Sequence, residues 1–129
     1  MPENVPVVLR FRDGRVVRGE MPDDLVPGTR ISASDENGAT IDVHLSDLKG
    51  IFYLKQQKDR LLERGLSGPT EPVGTTATLE FEDGEVLSGR LSHFDVSQLG
   101  FFLHPADASG NNAKIYVVTA AVRSLELRP

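Results

Sequence analysis

The chain has 129 residues, a length that suits one compact domain or two very small ones. It contains no cysteine, which excludes a disulfide framework and any Cys-based zinc site. Its net charge of −5 repels phosphate backbones at long range, so general nucleic-acid binding starts disfavoured.

The charge is uneven. Residues 1–64 carry 10 basic and 11 acidic side chains, and residues 65–129 carry 4 and 8. No N-terminal stretch resembles a signal peptide, and no apolar run approaches the ~20 residues that span a bilayer. A cytoplasmic protein is the expectation.

In chain order, alternation from Val5 to Arg12 predicts a strand, and Asp13-Gly14 signals a tight hairpin returning through Arg15 to Met21. Pro22 to Gly28 reads as loop. Thr29 to Ser34 and Ala39 to Leu45 predict a second hairpin around Glu36-Asn37-Gly38. Ser46-Asp47-Leu48 looks like a single tight turn before a fifth strand, Gly50 to Lys55. Gln56 to Gly65 has the composition of a short helix, and Ser67 to Gly74 that of a linker. Further strands are expected near 76–83, 85–93, 100–104, 113–119 and 123–128.

The second set repeats the first. Leu9-Arg-Phe11-Arg-Asp13-Gly14-Arg-Val16-Val17-Arg-Gly19 returns as Leu79-Glu-Phe81-Glu-Asp83-Gly84-Glu-Val86-Leu87-Ser-Gly89. After a longer loop in the second copy, Ile41, Val43, Leu48, Ile51 and Tyr53 align with Ile115, Val117, Val122, Leu125 and Leu127. Such self-similarity marks two copies of one supersecondary unit. A unit of about fifty residues is marginal alone, so the copies should pack together. The expected fold is all-β: two tandem five-stranded SH3-like or Sm-like small barrels, spanning 1–55 and 76–129, joined by a helix and linker over 56–75. Closing each sheet would hide its edges.

Three resemblances bear on function. Leu79-x-x-x-Asp83-Gly84-x4-Gly89-x-Leu91-x-x-Phe94-Asp95 resembles the first Sm motif, which implies a bent-strand barrel. The Arg-Gly pair that helps Sm proteins hold RNA is replaced by Thr119-Ala120-Ala121-Val122, which disfavours an RNA-binding reading. A broader pattern resembles a bacterial family that brings no established activity. It comprises Asp47-Leu48-Lys49-Gly-Ile-Phe52, Gly100-Phe101-Phe102-Leu103-x-Pro105-Ala-Asp107 and Asn111-Asn112-x-x-Ile115-x-Val117-Val118-x-x-Ala121-Val122. Finally, Arg60-x-x-x-Arg64 with Asp95-x-Ser97-x-x-Gly100 is similar to the paired motifs of PilZ domains. That resemblance implies a cyclic di-GMP receptor, in which the two guanidiniums fork onto phosphates and stack on guanine.

Two surfaces stand out. The hairpins carry opposite charges at equivalent positions: Arg10, Arg12 and Arg15 against Glu80, Glu82 and Glu85. A two-residue turn would place Phe11 opposite Val16 and Phe81 opposite Val86, both pairs facing inward. It would also set like charges against each other, Arg12 against Arg15 and Glu82 against Glu85, which calls for compensation nearby. Two readings stand: the Arg-bearing hairpin meets a Glu-bearing one, in the same chain or in a neighbour, or both hairpins are exposed and their charges have merely drifted.

The second surface is the apolar run Leu99-Gly-Phe101-Phe102-Leu103, whose two phenylalanines point to opposite faces of a strand and so need separate cover, from the sister barrel or a second protomer first and from a peptide or regulatory partner next. With Phe94, Asp107, Asn111 and Asn112 these phenylalanines form the candidate partner surface.

Neither a metal site nor a nucleophile is expected. His93, Asp95 and His104 merely flank a loop, and no nucleophile elbow surrounds Ser97. The sequence therefore reads as a non-catalytic interaction or adaptor module without a cofactor, in signalling or motility. It would bind a protein partner or a second copy of itself, with the cyclic di-GMP receptor as the alternative.

Overall fold

The computed structural model describes residues 4–22, 28–55, 75–91, 99–105 and 112–128. They form ten strands: β1 (Asn4–Phe11), β2 (Val16–Pro22), β3 (Arg30–Asp35), β4 (Thr40–His44), β5 (Leu48–Leu54), β6 (Thr75–Phe81), β7 (Val86–Leu91), β8 (Gly100–Pro105), β9 (Asn112–Val118) and β10 (Val122–Arg128). A single 3₁₀ turn joins β4 to β5 at Leu45–Asp47, and another joins β9 to β10 at Thr119–Ala121. All ten strands belong to one sheet, in the order β10-β6-β7-β8-β9-β5-β1-β2-β3-β4.

Period-two patterning produces these strands. In β1, Val5, Val7, Leu9 and Phe11 are buried while the residues between them are not. Ala77, Leu79 and Phe81 do the same in β6. A one-residue slip would turn every one of these side chains to the wrong face, so the burial pattern fixes the register.

The two halves pair alike. Leu9 lies opposite Val17 and Leu79 opposite Leu87; Gly19 opposite Asp35 and Gly89 opposite Pro105; Ile31 opposite Val43 and Phe101 opposite Val117. Leu9 also faces Ile51 as Leu79 faces Leu125, and both of these pairings carry a bulge near the hairpin.

The halves are not self-contained closed sheets. The fifth strand of the first half pairs along the fourth strand of the second, from Gly50 opposite Val117 to Leu54 opposite Asn112. The sheet is open, ending on β4 and β10. This pairing lets each half cover an edge that so small a unit would otherwise leave exposed. The helix expected over 56–65 and most of the linker lie outside the described residues.

Two apolar cores interlock across the β5–β9 junction. The first gathers Leu9, Met21, Leu45, Leu48, Ile51 and Tyr53, and receives Tyr116 and Val118 from β9. The second gathers Leu79, Phe81, Leu91, Phe101, Leu103 and Ile115, and receives Phe52 from β5. β5 is therefore buried on both faces along nearly its whole length.

Each half bends where its second strand leaves its third. A Cβ on Gly19 would collide with the backbone carbonyl oxygen of Ser34, and one on Gly89 with that of His104. Replacing Gly89 by Ala should destabilise the protein by about 1–3 kcal/mol, the usual cost of overpacking. Urea unfolding checks this: the midpoint should fall while the slope stays unchanged.

Candidate functional site

The charged hairpins are built on a three-residue loop, one residue longer than the Asp-Gly signal suggested. The Phe11 amide donates to the Arg15 carbonyl at 2.9 Å and the Gly14 amide to the Phe11 carbonyl at 3.1 Å. Phe81, Glu85 and Gly84 repeat the arrangement at 2.8 and 2.9 Å. Gly14 (φ 97°) and Gly84 (φ 95°) occupy the left-handed region that closes a type I turn with a bulge. The Asp13 carboxylate accepts the Arg15 amide at 3.0 Å, and Asp83 accepts the Glu85 amide at 2.9 Å.

The bulge shifts the expected pairing by one residue. Phe11 stands opposite Arg15, and it is Arg10 that faces Val16. Val16 and Val86 are each 57% exposed and do not point inward. The expected like-charge oppositions, Arg12 against Arg15 and Glu82 against Glu85, do not form.

The two hairpins meet within the chain. Arg12 forks onto Glu82 through Nε–Oε1 at 2.7 Å and Nη2–Oε2 at 3.0 Å, and its Nη1 donates to the Ser46 carbonyl at 3.2 Å. Arg10 reaches Glu85 at 3.1 Å while its guanidinium lies 5.0 Å from the centre of the Phe52 ring. Arg15 turns away, pairing with Asp13 of its own loop at 2.8 Å and stacking on Phe11. Glu80 has Arg123 at 3.9 Å.

At the centre of this seam is Lys49, which the sequence reading did not single out. Its side chain is 5% exposed, its Nζ lies 2.7 Å from Asp83, it contacts Glu85, and it sits 4.6 Å from the centre of the Phe81 ring. The available signal was a lysine inside the otherwise apolar run Leu48-Lys-Gly-Ile-Phe-Tyr-Leu54. A cation on a strand buried on both faces needs carboxylates from another element.

Phe101 is buried in the second core. Phe102 packs against the first, with ring centres 4.9 Å from Tyr116 and 6.1 Å from Tyr53. The phenylalanines of the apolar run therefore pack at the junction between the halves, Phe101 buried and Phe102 partly buried. Asn112 begins β9 and pairs with Leu54. Phe94, Asp107 and Asn111 lie outside the described residues. So do Arg60, Arg64, Asp95 and Ser97 of the PilZ-like set. Gly100, the remaining member, packs against the Tyr116 ring, which a Cβ would strike.

One further surface is available. At its end of the sheet β4 has an outer edge that no strand covers among the described residues. The Leu45 amide bonds the Thr29 carbonyl and the Asp35 amide the Ala39 carbonyl, so odd-numbered positions of β4 bond inward to β3. The amides of Asp42 and His44 consequently point outward. Beyond His44 the edge runs into an apolar groove of about 190 Å³, lined by Thr29, His44, Leu45, Leu99, Val118 and Ala120. Leu99 at its rim is 47% exposed.

These elements define an all-β protein built on one open antiparallel sheet, with an ionic seam inside and an edge that no described strand covers beside an apolar groove. Residues 3–128 match the model of a family of unknown function, DUF6982, and the chain belongs to that family. No curated protein and no solved structure matches it. Among the described residues, no helix is long and apolar enough to cross a membrane.

The seam responds asymmetrically to mutation, because Lys49 is buried whereas the side chains of Asp83 and Glu85 are 50% and 36% exposed. Asp83→Asn with Glu85→Gln strands the lysine and should cost about 3–5 kcal/mol. Lys49→Met leaves carboxylates that water can rehydrate, so it should change stability by less than about 1 kcal/mol. Chemical denaturation of the two variants checks the order.

Acid should also weaken the seam. The hydrogen bond from Lys49 holds Asp83 below its ordinary 3.8, and that from Arg12 holds Glu82 below 4.5. A carboxylate with a depressed folded pKa lends stability above its unfolded pKa and loses it as pH falls through the folded value. Urea midpoints should therefore drop as pH falls below about 4, and Glu82→Gln should flatten that slope.

Proposed function

We propose that this chain is a non-catalytic interaction module that takes an extended segment of a protein partner as an added strand along β4. The observation that carries this reading is the outer edge of β4 running into the apolar groove at Leu45, Leu99 and Val118. In strand addition the backbone edge supplies affinity, and a neighbouring pocket selects alternate side chains.

The charge around the edge selects for a cationic segment. Asp42 is exposed in mid-strand, Asp35 and Glu36 lie at the hairpin end, and Asp47 follows the strand in the 3₁₀ turn. A lysine or arginine opposite Asp42 would form a favourable cross-strand pair. Each half is read as a small-barrel module of the SH3-like or Sm-like kind. This is supported by the shared strand order, the single 3₁₀ turn before the fifth strand and the tight glycine bends.

The test uses fluorescein-labelled peptides alternating valine with lysine, alternating valine with glutamate, and a polar scrambled control. Fluorescence anisotropy should rise with the lysine peptide alone. Asp42→Pro removes an outward amide without touching the β3 ladder and should abolish the rise. Absence of binding, or binding that survives Asp42→Pro, overturns the reading.

A further inference from the structure

The junction between the halves has an exact geometric counterpart at the ends of the sheet. Internally, the fifth strand of one half, β5, pairs with the fourth strand of the other, β9. The corresponding strands left over are β10, the fifth strand of the second half, and β4, the fourth strand of the first. β10 of one molecule could thus lie on β4 of another in the register that β5 and β9 already use, a head-to-tail contact that would add modules into a ring or an open filament.

What differs is the chemistry at those positions. Phe52, fifth residue of β5, enters the second core; Glu126, fifth residue of β10, takes its place at the free edge. Tyr116, third from the 3₁₀ turn, enters the first core, and Asp42 holds that position in β4. Phe102, paired with Tyr116 across β8–β9, corresponds to Ser32, paired with Asp42 across β3–β4. Val118, also in the first core, corresponds to His44.

In the inherited register Glu126 would be driven toward Ile41 and the first core, and Asp42 would face Leu125. Each face of the contact would bury a carboxylate with no cation beside it, Asp42 keeping only the hydrogen bond it accepts from the Ser32 hydroxyl, which is strongly unfavourable. Arg123, the counterpart of Lys49, would meet Asp13 where Lys49 meets Asp83 and Arg15 where Lys49 meets Glu85, so the obstacle to pairing lies in the two carboxylates and not in this cation. Other features of the edge still suit pairing: Leu127, at the position of Tyr53, is 46% exposed.

We propose that β4 and β10 are complementary halves of one more β5–β9 junction, held apart by Asp42 and Glu126, so that the chain ends its own sheet at two modules. Inward-facing or edge charges are a recognised means of stopping strand edges from pairing. This proposal stands apart from the peptide-binding reading, since self-association of variants and peptide anisotropy of the wild type are separate measurements.

The experiment mixes two single variants, Asp42→Tyr and Glu126→Phe, each with one edge converted. Light scattering coupled to size exclusion should give monomer mass for the wild type and for each variant alone, because every such pairing retains one acid. An equimolar mixture should double in mass and stop there, since the outer edges of that pair keep Asp42 and Glu126. Circular dichroism verifies that each variant is folded. If either is not, Asp42→Asn and Glu126→Gln serve as the second pair, with the same doubling expected at higher concentration. A wild type that assembles head to tail, or folded variants whose mixture remains monomeric, overturns the proposal.

Discussion

The pairing of β5 with β9 is the constraint from which the rest of the molecule follows. A strand flanked by β1 on one side and β9 on the other has no free edge, and side chains from both halves cover its two faces. Every residue from Leu48 to Tyr53 is therefore buried, whatever its chemistry. This is tolerable for Ile51, Phe52 and Tyr53. For Lys49 it is tolerable only because the same pairing brings the second hairpin, with Asp83 and Glu85, against the first. The ionic seam is thus a consequence of the junction, positioned by strands that apolar burial has already ordered.

That order of causes matches the magnitudes. Arg12–Glu82 and Arg10–Glu85 are partly exposed pairs, and pairs of that kind contribute about 0–1 kcal/mol each. Burying a single large apolar side chain contributes about 1.5–3 kcal/mol. Phe52, Tyr116, Val118 and Phe102 all cross the junction, so adhesion between the halves is apolar. The charges act on hairpins that the strands have already placed side by side. Their bidentate geometry at Arg12 gives orientation, which scattered apolar contacts do not.

Much of this architecture was legible in the residues. Alternation, apolar runs and turn signals together placed all ten strands to within a few positions, and the correspondence of Leu9-to-Gly19 with Leu79-to-Gly89 foretold the matching registers. The opposite charges of the hairpins pointed to their contact, though not to its wiring. The hairpin register was misjudged by one residue because Asp-Gly serves both two-residue and bulged three-residue turns; only the φ of Gly14 and the Phe11–Arg15 bond distinguish them. Closure was misjudged for a different reason. Whether a fifth strand seals its own sheet or joins a neighbour's depends on long-range geometry that periodicity does not encode. Lys49 was not legible because a single cation in a strand without alternation carries no periodic signal of its partners. Within β5 that cation was the informative residue.

Comparing the halves position by position separates two kinds of information in one chain. Where a side chain faces its own core, the halves keep the same character: Leu9 and Leu79, Phe11 and Phe81, Val43 and Val117, Ile51 and Leu125. Where it faces whatever lies beside the half, they diverge: Phe52 and Glu126, Tyr116 and Asp42, Phe102 and Ser32. The first set specifies how a half folds, and the second specifies its neighbour. An apolar residue at the second kind of position demands cover and receives it at β5–β9. A carboxylate there demands water or a cation, and Asp42 and Glu126 are both exposed. Among the described residues the sheet therefore has one apolar junction and two ends that carry carboxylates, although fourth and fifth strands stand at all three.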